Sequence, residues 1–476
     1  MGQYSKSIYS QLQDALGEIS VLKKENKRQE KLIKDQVAQI ILLTKLLEEQ
    51  NTKLTEEIER LRKQINADSS NSSLPPSQDQ KPNTKIFNSR EKRGNPSGGQ
   101  FGHKGFWLSK VDIEKKIASG LMRHEIIEHG QGCSYISKYV IETKTETIAI
   151  EHRFYADESG RISIPTEFRP DVQYGNDLKT FATMLVGRGI VASNRIVEFV
   201  ANLSNENIQL SDGSIYNWLA EFNTKAQPEI NKITTNLLNS PLMHDDETSI
   251  RCENKNMFFR NYSTENQVRY TLNPTKGKQS IEDDGILPKF TGTLIHDHNT
   301  VNYNYGTRHG ECNVHLIRYL KRNFEDTRNE WSNDLISFLT SVNTTKKLAI
   351  NYELESFEKI DLERYQKKYD EILAVGFAAN KNTKSGHFKK EELKLLRRLQ
   401  KYRTNHLLFL QDFTVPFDNN LSERDLRMLK TKAKVSGCFR SLSGGRIFAN
   451  LMSIIKTATK QSRSPYHAVR QIFNCS

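Results

Sequence analysis

Between residues 5 and 65 an apolar residue recurs every seventh position, and that period restricts what the segment can become. Leu12, Ile19, Ile33, Ile40, Leu47, Leu54 and Leu61 share one column, with Asn26 the polar exception. The partner column is mixed: Ile8, Ala15, Leu22 and Leu43 alternate with Gln29, Gln36, Gln50 and Glu57. No proline interrupts the run. A spacing of about 3.5 residues keeps one seam of a helix against a partner helix, so residues 1–65 read as a coiled coil that joins copies of the chain. A buried Asn in such a seam sets register and strand number at some cost in stability. The alternative, left open by the polar second column, is a long helix packed back on its own protein.

Beyond residue 65 the composition changes. NADSSNSSLPPSQDQKPN and RGNPSGGQFGHKG hold little to bury, so 66–109 reads as a linker, made basic by Lys81, Lys85, Arg90, Lys92, Arg93, His103 and Lys104. Residues 110–176 alternate in the manner of a half-exposed sheet, as in YVIETKTETIAIEHRFYA, and predict a small β-rich module. Residues 177–238 turn helical. NRIVEFVANLSNENIQLSDGSIYNWLAEF reads as helix, turn and a second helix starting near Ser211 or Asp212. Ser214, Tyr216 and Asn217 then sit early on that helix, where a helix-turn-helix presents residues to base edges; a plain helical hairpin has the same pattern.

The whole chain of 476 residues carries 70 Lys and Arg against 57 Asp and Glu, a net charge of +13. That balance points to a polyanionic partner, nucleic acid first, or to a generally basic surface. No run approaches the ~18 apolar residues of a membrane span, and MGQYSKSIYSQLQ has no apolar signal core. The expectation is a cytoplasmic, nucleoid-associated protein with no membrane partner. Five cysteines, odd in number and without a CxxC pair, argue against a disulfide framework and a four-cysteine zinc site.

Three carboxylates in three settings carry the chemistry. Asp246 lies in LMHDDETSI and Asp297 in TGTLIHDHNTVNY, each after a run that reads as a buried strand; Glu423 lies in FDNNLSERDLRMLK, at the start of a basic helix. Two acids on strand ends plus one on a helix is how an RNase H-like sheet gathers a pair of divalent metals. Asp245 and Glu247 compete with Asp246, and on a strand only one of Asp245 and Asp246 can face the site. Glu423 could equally be a carboxylate favoured by a helix dipole. FFRNYSTENQVRYTLNP looks like a hairpin between the first two acids, and 316–412 like a helical insertion before the third. After Glu423 come Arg424, Arg427, Lys430, Lys432, Lys434, Arg440 and Arg446, a basic track suited to phosphates. His309, Cys312, His315 and Arg318 recur every third residue, which predicts one helical face. Cys312 and His315 read as bracing beneath Asp297 or as part of a zinc site short of one ligand.

Taken in order, these motifs resemble the DDE transposases of the insertion sequence 66 family. NSSLPPSQD and GGQFGHKG are similar to that family's linker, Asp246-Glu247-Thr248 to its first-acid motif, and Cys312-x2-His315 to the pair that follows the second acid. NNLSERDLRMLKTKAKVSGCFRS resembles the third-acid block, and ANLMSIIKTATKQSRSPYHAV the C-terminal helix and tail. The resemblance implies an α/β protein: an RNase H-like catalytic domain over 239–315 and 413–476, interrupted by the helical insertion at 316–412. It implies that Asp246, Asp297 and Glu423 are catalytic and hold two Mg²⁺ ions, with Mn²⁺ able to substitute. The implied reaction is metal-dependent cleavage at insertion-sequence ends and strand transfer into target DNA. The implied partners are terminal inverted repeats and target DNA, a second copy through the coiled coil, and accessory proteins of the element. DNA contacts are expected from Ser214, Tyr216, Asn217, Arg424, Arg427, Lys430, Lys432 and Arg440. Family members carry a CxxC zinc finger after the linker; here only Cys133 stands there, with His124 and His129 near it, so the module at 110–176 is expected to be degenerate and without zinc. A catalytically decayed copy that only binds DNA, and a coiled-coil transcriptional regulator, are the alternatives.

Overall fold

The computed structural model describes residues 2–65, 108–129, 136–165, 168, 170–384 and 386–475. Most of the expected linker, and Cys133, lie outside them. The heptad segment is one unbroken helix, α1 (Gly2–Ile65). Leu12, Ile19, Ile33, Ile40, Leu47, Leu54 and Leu61 are all exposed along it. Near its C-terminal end Glu59 Oε2 accepts hydrogen bonds from the backbone N–H groups of His387 and Phe388, at 2.7 and 3.4 Å, and Glu56 pairs with Lys390.

Residues 110–176 differ from expectation. They contain α2 (Lys110–Ala118), whose Ser109 and Asp112 form a reciprocal N-terminal cap, and no strand among the described residues. Alternation stabilises a strand only when a neighbour pairs its backbone and covers one face. Here Ile126, Ile127, Ile136, Val140, Ile148 and Ile150 stay exposed.

Four helices follow: α3 (Asn176–Gly187), α4 (Ser193–Leu203), α5 (Asp212–Lys225) and α6 (Gln227–Leu238). The link from α4 to α5 spans 204–211, longer than the turn of about 3–4 residues in a helix-turn-helix. Ile196, Val200, Ile215, Trp218, Phe222, Ile233 and Leu237 share one continuous apolar core with the sheet that follows. These helices are therefore packed onto the sheet unit. Each large apolar side chain taken fully out of water there contributes about 1.5–3 kcal/mol before entropy is counted.

The sheet comprises β1 (Leu242–Cys252), β2 (Lys255–Ser263), β3 (Val268–Asn273), β4 (Thr293–His296), β5 (Arg308–Glu311) and β6 (Cys438–Phe439), with α7 (Lys278–Asp284) between β3 and β4. Its order is β3-β2-β1-β4-β5, and β6 pairs with the far end of β1. The expected hairpin is β2–β3; β1, β2 and β3 run antiparallel, whereas β4 joins β1, and β5 joins β4, in parallel.

The helical insertion consists of α8 (Asn313–Thr327), α9 (Trp331–Asn351), α10 (Lys359–Asn382), α11 (His387–Lys401), α12 (Arg403–His406) and α13 (Leu408–Gln411). Leu320, Trp331, Leu335, Leu339, Tyr369, Leu396 and Leu399 form its own core, which reaches the sheet through Ile295. The chain returns as α14 (Asn420–Ser436), β6, α15 (Leu442–Lys460) and α16 (Pro465–Asn474). Helix α15 covers the free edge of β3, where the N–H groups of Val268 and Tyr270 donate to Thr457 Oγ1 and Ser453 Oγ at 3.0 and 2.9 Å. An edge strand covered in this way cannot pair with another chain.

Candidate active site

Strand β1 carries the run Asp245-Asp246-Glu247 through its middle, so Asp246 sits within the strand and not beyond its end. Alternation sends Asp245 and Glu247 to one face and Asp246 to the other. Arg260, directly across from Glu247 on β2, decides which is which. Its guanidinium donates to Asp245 Oδ2 at 2.8 Å and lies 3.4 Å from Glu247 Oε2, with both Arg260 and Asp245 buried. Asn302 Nδ2 donates to the same Asp245 oxygen at 2.6 Å. Burial raises the Asp245 carboxyl to about 6, against the pull of Arg260. Asp245 and Glu247 are thus spoken for as supports of the strand.

Asp246 faces Asn261 on β2, and Asn261 Nδ2 donates to Ser422 Oγ at 2.6 Å, which seats the first turn of α14 and Glu423 beside the strand. Asn419, fully buried, ties the remaining parts together. Its Nδ2 donates to the Asp245 carbonyl at 2.9 Å and reaches Asp297 Oδ1 at 3.4 Å; its Oδ1 is 2.7 Å from His244 Nδ1, and its N–H reaches Cys312 Sγ at 3.3 Å. The three acids therefore come together from β1, the end of β4 and the start of α14. His315 Nδ1 lies 3.1 Å from Asp297 Oδ2 and 3.9 Å from Glu423 Oε1. Asp297 and Glu423 are each about a quarter exposed, within reach of a substrate.

The electrostatics of this face are unbalanced. Burial first, then the charges of Asp297 and Glu247, push the Asp246 carboxyl well above its ordinary range. Among the described residues no Lys or Arg forms an ion pair with Asp246, Asp297 or Glu423, and Glu423 Oε1 is buried without a hydrogen-bond partner. An oxygen-rich cluster without a direct Lys or Arg partner, with Lys430 felt from farther along α14, suits a hard divalent cation such as Mg²⁺. Asp297, Cys312 and His315 also bring one ligand atom each within 4.8 Å of one another. Two observations weigh against a metal held by that set. Burial and the charge of Asp297 push the Cys312 thiol up, and Arg318 Nη1 is 3.0 Å from His315 Nε2, which places the imidazole proton on Nδ1, toward the acids.

The expected four-residue helical face does not form. His309 is on β5 and Cys312 caps α8, so only His315 and Arg318 share a helix, because a strand and a cap intervene where the spacing alone suggests continuity. Of the basic residues, Arg424, Arg427 and Lys430 line the exposed side of α14, and Arg440 is exposed after β6. Lys432 instead lies over the Phe448 ring at 5.6 Å, turned toward the core. Ser214 is engaged in the cap of α5, its Oγ 3.1 Å from Ser211 Oγ, whereas Tyr216 and Asn217 are exposed. The acids are separated from that helix in the chain, and no described contact joins the two.

A polar network missed by sequence reasoning lies behind Asp297. Glu311 on β5, buried, accepts from Arg398 Nη2 at 2.9 Å and from the Tyr303 hydroxyl, with His298 Nδ1 at 3.0 Å and His406 Nε2 at 3.2 Å. Against the upward push of burial, His406, His298 and Arg398 hold its carboxyl well below the usual range. Burial also lowers the His406 imidazole, against the pull of Glu311, and Arg398 brings a permanent cation to the carboxylate. The sequence signal for this hub is weak: a charged residue closing a short strand. Asn261 carried still less, since a buried Asn is legible only through its partners; Asn419 opens the block that resembles the third-acid motif, but its contacts were not legible from it.

A family model for IS66 transposases matches residues 191–447, more than half of the chain and all three acids. The chain belongs to the IS66 transposase family. A second model, for a family of unknown function, matches residues 22–107, and no curated protein matches the chain. Membership gives this IS66 transposase DNA as its partner, DNA cleavage as its class of reaction, and divalent metals as the cofactor class general to such enzymes. No helix among its described residues is long and apolar enough to cross a membrane.

Proposed function

We propose that this protein is a DDE transposase whose Asp246, Asp297 and Glu423 hold a divalent metal pair, Mg²⁺ or Mn²⁺, and that it cuts insertion-sequence ends and joins them to target DNA. The observation that carries the reading is the convergence of the three acids, from separate elements, on one face where, among the described residues, none of them is ion-paired with a Lys or Arg. The sheet order, with three antiparallel strands followed by two parallel ones and the acids on the first strand, the fourth and a late helix, supports an RNase H-like catalytic domain.

When bound, the metals supply charge stabilisation at the phosphodiester and lower the pKa of the attacking water or 3′-hydroxyl. The chain's own part is positional. Arg260 pairs with Asp245 and, together with Lys276, with Glu247 on the opposite side of β1, which leaves Asp246 as the acid of the run without a Lys or Arg ion pair. Asn419 and Asn261 set the spacing of the three acids, and His315 directs its Nδ1 proton between Asp297 and Glu423. Arg424, Arg427 and Lys430 flank Glu423 on α14 and offer a track for the phosphate backbone. The exposed apolar column of α1 is the seam for a second copy of the chain, which would pair two element ends.

The test is strand transfer of a labelled element-end duplex with Mg²⁺ or EDTA. Asp246→Asn, Asp297→Asn and Glu423→Gln should each abolish metal-dependent joining while leaving duplex binding intact. Activity retained in any one removes that acid from the triad; binding without cleavage by the wild type would reduce the function to DNA recognition.

A further inference from the structure

The helical insertion sends two side chains back to the sheet, and both end on Glu311. Arg398 comes from α11 and His406 from α12, and they meet a carboxylate that β5 holds in the interior. His298 Nδ1 meets the same Oε2 as Arg398 and His406, at 3.0 Å, and the Tyr303 hydroxyl donates to the other oxygen; that Nδ1 and hydroxyl are also 3.0 Å from each other. The Tyr303 ring stacks on Tyr402 at 4.6 Å between centroids, and the His298 ring stands edge-on to Tyr402 at 4.8 Å. Tyr402 too belongs to the insertion, at the junction of α11 and α12. His298 directly follows Asp297 and adopts a left-handed backbone conformation, φ 63°. A non-glycine residue holds that conformation only where its surroundings over-determine it. The surroundings here are Glu311, Tyr303 and Tyr402.

We propose that Glu311 is a positioning residue for Asp297, and that the insertion, through Arg398, His406 and Tyr402, is a structural part of the metal site. Arg398 and His406 hold Glu311 in place; Glu311 and Tyr303 hold His298; and His298 in its strained conformation sets where Asp297 stands. Severing the network frees the turn after β4 and spreads the orientations of the Asp297 carboxylate. The proposal rests on the metal-site reading above, and two readouts separate the fates of the two ideas.

The first readout is Mn²⁺ binding to the full-length protein without DNA, followed by the loss of the free-ion EPR signal. The second is hydrogen–deuterium exchange of the peptide spanning 293–304, without metal. Glu311→Gln and Arg398→Lys should weaken Mn²⁺ binding about tenfold, the loss usual when a group that orients a metal ligand is removed, and should speed exchange in that peptide. Tyr303→Phe, which removes a single hydroxyl, keeps the test open if Glu311→Gln fails to fold, and should shift both readouts in the same direction by less. Far-UV circular dichroism identifies the folded variants. Folded variants with wild-type exchange in 293–304 overturn the proposal, as does wild-type Mn²⁺ affinity beside faster exchange. Faster exchange in a protein whose wild type binds no Mn²⁺ leaves the positioning role standing and removes the metal reading.

Discussion

Glu392, in the middle of α11, is fully buried and surrounded by donors. Its Oε1 accepts from Trp331 Nε1 and Asn329 Nδ2, both at 2.8 Å, and from Asn323 Nδ2 at 3.2 Å. Its Oε2 accepts from Asn380 Nδ2 at 2.8 Å and Thr383 Oγ1 at 3.3 Å. Glu392→Gln keeps the shape but must set an amide among those donors. The least costly orientation keeps oxygen toward Trp331, Asn329 and Asn323 and turns the NH2 toward Asn380. One of the Asn380 amide N–H groups then loses its acceptor while the other keeps the Lys389 carbonyl at 3.0 Å; Thr383 can reverse its hydroxyl and donate to the Ala379 carbonyl. A buried donor without a partner costs about 1–3 kcal/mol, and each of the three remaining bonds loses roughly 1 kcal/mol when its acceptor is no longer charged. Removing a buried charge offsets part of this. The expected net loss is about 2–4 kcal/mol, and Glu392→Leu, with no acceptor, should lose more. Burial pushes this carboxyl up, but Asn329, Asn380, Trp331 and Asn323 outweigh it and hold it below the usual range. Its contribution is therefore present above the unfolded carboxylate pKa and lost as pH falls through the folded value. Urea unfolding followed by circular dichroism should show the wild-type advantage over Glu392→Gln at pH 7 and its shrinkage on acidification toward pH 3. A Gln variant within about 0.5 kcal/mol of wild type at pH 7, or a pH-independent difference, would refute the reasoning.

Three further outcomes are expected. Replacing Arg424, Arg427 and Lys430 together by Ala should flatten the dependence of log DNA affinity on log salt by up to about 3, at ~0.9 per phosphate contact, and an unchanged slope would remove α14 from the interface. Lys346 is buried, donates to the Val415 carbonyl at 2.6 Å, and is lowered by burial to about 8. Because the folded protein then sheds that proton before the unfolded chain does, wild type should gain stability relative to Lys346→Met as pH rises from about 8 to 10.5, read by thermal melts. Deleting residues 1–65 should lower the mass measured by light scattering to that of fewer chains; an unchanged assembly would mean that α1 does not join copies.

Local pattern was enough for α1, because a seven-residue period is written in neighbouring turns and needs no knowledge of the rest of the chain. It was also enough for the β2–β3 hairpin, for the approximate start of α5 at a Ser cap, and for an acid at the opening of α14. It failed at residues 110–176, where an alternating run found no partner strand. It failed again at His309, which a spacing of three placed on a helix that begins only after Cys312.

The resemblance of Asp246-Glu247-Thr248 to a first-acid motif favours Asp246, but what Asp245 does instead is visible only in the tertiary structure. Strand alternation alone leaves two adjacent acids equivalent, and Arg260, on the neighbouring strand, pairs with Asp245. Glu311 and Glu392 carry no local signal of burial, and Asn419, although it opens the block that resembles the third-acid motif, shows its role only through its partners. Each is buried, and the groups that make its burial tolerable come largely from distant parts of the chain: Arg398 for Glu311, Asn323 and Trp331 for Glu392, Asp245 and Asp297 for Asn419. Period is a local property that a sequence carries openly. Compensation of a buried charge is a long-range one, decided only when folding brings the partner within about 3 Å.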